Sequence, residues 1–343
     1  MKINTLFIGI FFLIATESFS QTLGGNAVYN FLSQPGSAQV AALGGINISS
    51  QSNDVSMGLS NPALLRSKMH QQIATSFNGF IAGISNYSAV ASFHQSKYQL
   101  NWGVGLQYLH YGNITQTDVL GNILGTFKPN DFAVQLMVSK QYNERFYIGS
   151  TLKFIQSNYG LFRSSGIAMD IGLNYIDTNQ QFQAAVLVKN MGTQLSTYGG
   201  GPKEELPFDL QAGISKKLKN APIQFSLTAH NLHRLSIFYN DTTFNASEGD
   251  LRTAGFLQKT FAHLVFGTQF FLTDKVEINL GYNFLRRQDL NIFNATSGLN
   301  GLTAGAGFLH KKLHIRYATG FFQQKQFHQF SLNFHFAGKN INE

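Results

Sequence analysis

Cysteine is absent from all 343 residues, so the chain has no thiol chemistry, no thiolate metal site and no disulfide, although export would permit one. Charge is scarce as well: Asp, Glu, Lys and Arg make up 12% of the sequence, against ~25% in ordinary soluble domains. Beyond the N-terminus no window holds 18 consecutive apolar residues, which removes transmembrane helices. There is no Gly-x-Ser-x-Gly elbow and no His-Glu-x-x-His helix, so neither an acyl-transfer nucleophile nor a zinc protease is indicated. Aromatic residues, by contrast, reach 13%, and glycine numbers 33. Few charges with many aromatics and glycines suit a wall that meets something other than water. Without helices, only a closed β-barrel can satisfy every backbone group inside lipid.

The first residues carry an export pattern. Lys2 precedes an apolar run from Leu6 to Ala15, and Ser18-Phe19-Ser20 supplies the small-x-small site that a signal peptidase reads. Residues 1–20 are therefore expected to be a signal peptide, with the mature chain starting at Gln21. The run is too short for the ~20 residues of a spanning helix. The net charge of +8 is spread over small clusters such as Lys216-Lys217-Leu218-Lys219, Arg286-Arg287 and Lys311-Lys312, with no aromatic platform beside them. Outer-membrane lipid head groups and lipopolysaccharide explain that better than nucleic acid.

From 73 to 336 the sequence breaks into segments in which every second position is apolar, as barrel strands require. Tyr98, Leu100, Trp102, Val104, Leu106 and Tyr108 alternate with Gln99, Asn101, Gly103, Gly105 and Gln107. Val276, Ile278, Leu280, Tyr282 and Phe284 alternate with Glu277, Asn279, Gly281 and Asn283. Fourteen such segments are counted, the last three at 302–309, 313–321 and 327–336. Short connections alternate with long ones around 112–130, 191–206, 232–261 and 287–301, matching short periplasmic turns and long outer loops. Tyr98, Tyr108, Tyr142, Phe146, Tyr159, Phe321 and Phe336 fall at segment ends and are expected to form an interfacial girdle. The prediction is an all-β, transmembrane antiparallel β-barrel of about 14 strands over 73–336, followed by a tail at 337–343.

Residues 21–72 do not alternate. They are rich in Gly, Ala, Ser and Asn and contain two compact clusters, Ala41-Ala42-Leu43-Gly44-Gly45 and Asn61-Pro62-Ala63-Leu64-Leu65. A fourteen-stranded barrel is wider than its own side chains can fill, so this segment is expected to be an N-terminal plug or hatch, with Gly44, Gly45, Asn61, Pro62 and Ala63 as its motif residues.

These clusters resemble the superfamily of long-chain fatty-acid transporters, barrels closed by an N-terminal hatch with a Gly-rich turn and an Asn-Pro-Ala motif. Within it, the chain is most similar to the PorQ-like outer-membrane components of the type IX secretion system. The residues that carry this are Gly24-Gly25-Asn26-Ala27-Val28-Tyr29-Asn30-Phe31-Leu32, Pro35-Gly36-Ser37-Ala38, Asp54 and Asn61-Pro62-Ala63-Leu64. Val188-Lys189-Asn190-Met191-Gly192, Leu206-Pro207-Phe208 and Thr228-Ala229-His230-Asn231-Leu232 continue the match. The resemblance implies a non-enzymatic part of a cell-surface attachment complex, anchoring a PorZ-like protein beside PorU-like and PorV-like subunits. That complex processes exported cargo and links it to anionic lipopolysaccharide. The alternative within the superfamily is an outer-membrane transporter of hydrophobic solutes such as long-chain fatty acids.

Little else suggests chemistry. His230-Asn231-Leu232-His233 lacks the spacing of a metal motif, and His314, His328 and His335 lie on polar or turn positions of neighbouring strands, where they are expected in the lumen without forming a metal site. Asp170, in step with Ala168 and Gly172, is expected to face the lumen and to hydrogen-bond a plug residue. The long stretch 232–261, with Arg252 and Phe256, is the largest candidate surface for a protein partner. No cofactor is expected.

Overall fold

The computed structural model describes residues 27–50, 52–80, 83–235, 237, 255–289, 299–322 and 325–336. The expected signal peptide, Arg252 and the tail at 337–343 lie outside the described residues.

Alternation becomes strand almost throughout. In chain order the strands are β1 (Gln72–Gly79), β2 (Ser85–Gln95), β3 (Leu100–His110), β4 (Ile114–Thr117), β5 (Ile123–Phe127), β6 (Asn130–Gln141), β7 (Phe146–Tyr159) and β8 (Phe162–Asp177). They continue with β9 (Phe182–Ser196), β10 (Asp209–Lys217), β11 (Ile223–Ala229), β12 (Leu264–Thr273), β13 (Val276–Asn283), β14 (Leu302–Leu309), β15 (Leu313–Phe322) and β16 (Lys325–His335). Fourteen of them form a closed antiparallel barrel, while β4 and β5 make a separate hairpin in the 111–129 connection. The barrel closes where β1 pairs with β16, from Gln72 opposite His335 to Gly79 opposite His328. No helix among the described residues is long and apolar enough to cross a membrane.

The faces are inverted relative to a water-soluble sheet. Val104, Leu106, Ile148, Leu152, Phe154, Leu280 and Leu332 are exposed on the outer wall, whereas Asn101, Gln107, Gln135, Gln269, Asn279 and Asn333 are buried within. Since side chains alternate across a strand, one sequence period serves lipid on one side and a polar interior on the other. The long connections 111–129, 197–208, 230–263 and 284–301 all open at one end, which is taken as the outer mouth.

The structure departs from the sequence-based expectation in three places. The segment expected as strand to 286 ends at Asn283 and turns into a short helix, α3 (Phe284–Asp289), because Phe284 packs on Phe261, Phe266 and Tyr282. The helix carrying Phe261 is α2 (Phe256–Ala262); α1 (Ala38–Ala42) lies in the N-terminal segment. Strand β9 runs on to Ser196, beyond the expected end near 190, through a bulge at Lys189-Asn190 where Asn190 has φ 56°. Tyr159, expected in the girdle, faces inward, since it shares the parity of the buried Ile155 and Ser157.

Candidate functional site

The lumen is occupied by residues 27–50 and 52–71. This segment has no β periodicity because its backbone is satisfied by caps and by the wall. Ser37 Oγ accepts from Val40 N at the start of α1, Asp54 Oδ1 accepts from Ser56 N at 2.8 Å, and Asn61 Oδ1 accepts from Ala63 N at 3.0 Å. Asp54 and Asn61 thereby start single 3₁₀ turns at Val55–Leu59 and Pro62–Leu64. Pro62 stands where a missing N–H costs nothing.

Two of these clusters fasten the segment to the barrel. At the glycine turn, Gly44 and Gly45 have φ of 92° and 88°, which a residue with a Cβ rarely adopts. There Gly44 N donates to Thr303 Oγ1 at 3.0 Å, and Asn283 Nδ2 donates to Gly44 O at 3.1 Å. The backbone passes so close to β13 that a Cβ on Gly281 would stand 2.1 Å from Gly44 N. At the Asn-Pro-Ala turn, a Cβ on Gly149 of β7 would stand 2.4 Å from Ala63 N, and Asn61 Nδ2 donates to Ile48 O at 3.0 Å. A cavity between segment and wall, bordered by Gly36, Asn47, Lys189 and Asp209, measures about 50 Å³. At ~10–15 Å³ for each water centre, that admits only a few waters.

Two charge networks cross this interior. Arg316 on β15 forms a buried ion pair with Asp54 of the inner segment and donates from Nε to Glu277 Oε1 on β13 at 2.6 Å. Lys153 on β7 contacts Asp170 Oδ2 at 2.7 Å and Asn190 Oδ1 at 2.7 Å, while Asn190 N donates to Asp170 Oδ1 at 2.8 Å. Asp170 is thus buried in the lumen, but its partners belong to the wall and not to the inner segment. Placing two charged groups together in a low-dielectric interior is tolerable only with such pairing.

At the outer mouth the inner segment lies beside the 197–208 connection, where Val28 N donates to Glu205 O at 2.9 Å. Tyr29, Tyr111, Asp131, Tyr159, Phe162, Tyr198 and Glu204 border an open recess of about 450 Å³ there. Asp131 Oδ2 accepts from Tyr111 Oη at 2.6 Å, and burial followed by that hydrogen bond pushes the Tyr111 phenol up, so it stays a neutral donor. Burial likewise raises the Tyr198 phenol.

The other expected residues separate. Gly44, Asn61, Pro62 and Ala63 meet the wall inside the lumen, and Gly45 faces Arg286 of α3. Phe256 begins α2 at the outer mouth and is largely exposed. His314 and His335 meet with tilted rings, centroids 4.8 Å apart, but His328 points outward and meets Tyr317 Oη at 2.6 Å, since its parity is that of the outward Phe330. Among the described residues no group of three or more His, Asp or Glu is arranged to hold a metal ion. Glu277, Arg316, Lys153 and Asp131 were not singled out from sequence. The available signal was a charged residue at a polar-face position of a spanning strand, and Asp170 was found by that rule.

The fold and its filled interior define a transmembrane β-barrel with an internal plug. The CymD monoaromatic hydrocarbon channel is similar with a TM-score of 0.55 at 12% identity, over 91% of this chain and 100% of that one. A FadL homologue from Pseudomonas aeruginosa is similar with a TM-score of 0.50 at 10% identity, over 88% of this chain and 98% of the other. No family model matches the sequence. No curated protein matches it either.

Proposed function

We propose that this protein is a non-enzymatic outer-membrane scaffold whose barrel is held shut by its own N-terminal segment and whose outer face engages a protein partner. The observation that carries this reading is the backbone contact of the plug with the wall at Gly281 and Gly149, reinforced by the buried Arg316–Asp54 pair. A plug clamped at opposite strands through main-chain contact suits a rigid platform better than a passage that must open. The PorQ-like sequence pattern supports reading the scaffold as a component of the type IX protein secretion system. In that role it would anchor a PorZ-like partner of the attachment complex, alongside PorU-like and PorV-like subunits, at an outer membrane rich in lipopolysaccharide.

A second reading, transport of hydrophobic solutes such as long-chain fatty acids, is favoured by the likeness in fold to a hydrocarbon channel and a FadL homologue and by the aromatic recess at the mouth. Fold likeness alone speaks for this reading more than for the first. Affinity purification of the tagged protein from native outer membranes in mild detergent, with mass spectrometry of proteins and lipids, separates the two. Stoichiometric recovery of a PorZ-like protein is expected. Recovery of the barrel alone with bound fatty acid or hydrocarbon would overturn the scaffold in favour of transport.

A further inference from the structure

Four acids are buried among the described residues: Asp54, Asp131, Asp170 and Glu277. Three have a cation within ion-pair distance, since Arg316 serves Asp54 and Glu277, and Lys153 serves Asp170. Asp131 has none among the described residues, although it is only 2% exposed. Its carboxylate is held by neutral hydroxyls instead, from Ser157 Oγ, from Tyr111 Oη at 2.6 Å and from Tyr159 Oη at 3.4 Å. A buried carboxylate without a cation is costly, and neutral donors offset that cost only in part.

Asp131 lies at the floor of the outer recess, and what surrounds it is specific in character. Tyr111 and Tyr159 meet with ring centroids 5.4 Å apart, and Tyr159 and Tyr198 at 5.8 Å, edge to face. Glu204 stands at the rim, and among the described residues no lysine or arginine borders the recess. In a chain with a net charge of +8, this is a locally acidic, aromatic hollow. Aromatic faces with a carboxylate behind them attract organic cations, through the ring quadrupole and the net charge together. A planar guanidinium gains more than an ammonium, because it also stacks on tyrosine.

We propose that the outer recess is a cation-binding site that receives the guanidinium of an arginine side chain carried on a loop of an extracellular partner. The partner as the source of the arginine rests on the scaffold reading; the cation site itself does not. This places the docking point over β3, β6, β7 and β9.

The test is saturation-transfer NMR on the full-length barrel in detergent micelles, with N-acetyl-arginine-amide as the probe. The uncharged N-acetyl-citrulline-amide and the small diamine putrescine serve as comparators. The arginine probe is expected to bind about tenfold more tightly than the citrulline probe, and to lose that advantage in Asp131→Asn. Glu204→Gln, at the exposed rim, should give a smaller loss and guards against misfolding of the first variant; heat-modifiable gel migration verifies both barrels. Equal binding of the two amides, or binding that neither variant changes, overturns the site. Tighter binding of putrescine than of the arginine probe overturns the side-chain ligand. Retained arginine binding with no partner recovered from membranes would sink the scaffold and leave the cation site standing.

Discussion

Arg316 of the wall and Asp54 of the plug form an ion pair with side chains 5% and 3% exposed, although 262 residues separate them in sequence. The pair is completed by Glu277 on β13, so one guanidinium joins two strands and the inner segment. It secures the plug at the turn that Asp54 itself starts.

Arg316→Met is expected to leave two buried carboxylates without a cation and to destabilise the plugged barrel by about 3–5 kcal/mol. Thermal unfolding in detergent measures this. The triple variant Asp54→Asn, Glu277→Gln, Arg316→Met should recover most of the loss, because it removes the charges together. A triple variant as unstable as the single one would show that packing, and not pairing, holds the plug.

The two faces of β13 should respond oppositely to added bulk. Gly281→Val pushes a side chain into Gly44 and is expected to displace the plug, at about 1–3 kcal/mol or more, and to raise single-barrel conductance in planar bilayers. Leu280→Val, one position away on the outer wall, should leave both conductance and heat-modifiable migration as they are.

Lys153→Met strands Asp170 in the wall at the β9 bulge, with an expected loss of about 3–5 kcal/mol. Pairing it with Asp170→Asn should restore much of that. A double-mutant cycle on thermal stability measures the coupling, and additive losses would argue against the pair acting as a unit.

His230, just past β11, is buried, and burial pushes its pKa down to about 4. The unfolded chain therefore takes up this proton first. The stabilising contribution is full above the ordinary histidine pKa of 6.5 and is lost as pH falls from there through about 4. Unfolding followed across that window should show stability declining with acid, and His230→Gln should flatten the decline. An unchanged profile in the variant would place the titrating group elsewhere.

The amino-acid sequence by itself determined the wall. A period of two, set by the pleat, marks lipid-facing and lumen-facing positions residue by residue, and the alternation of short and long connections orders the strands. It also marked Gly44, Gly45 and Asn61-Pro62-Ala63, because turn chemistry is local. Tertiary structure alone decided what those residues touch. Asp170 meets Lys153 instead of the plug, Arg316 reaches back to Asp54, and Asp131 has no cation among the described residues and lies beneath the tyrosines of the outer recess. None of these pairings has a sequence period, since barrel closure joins β1 to β16 and brings together residues whose separation along the chain carries no information about their distance in space.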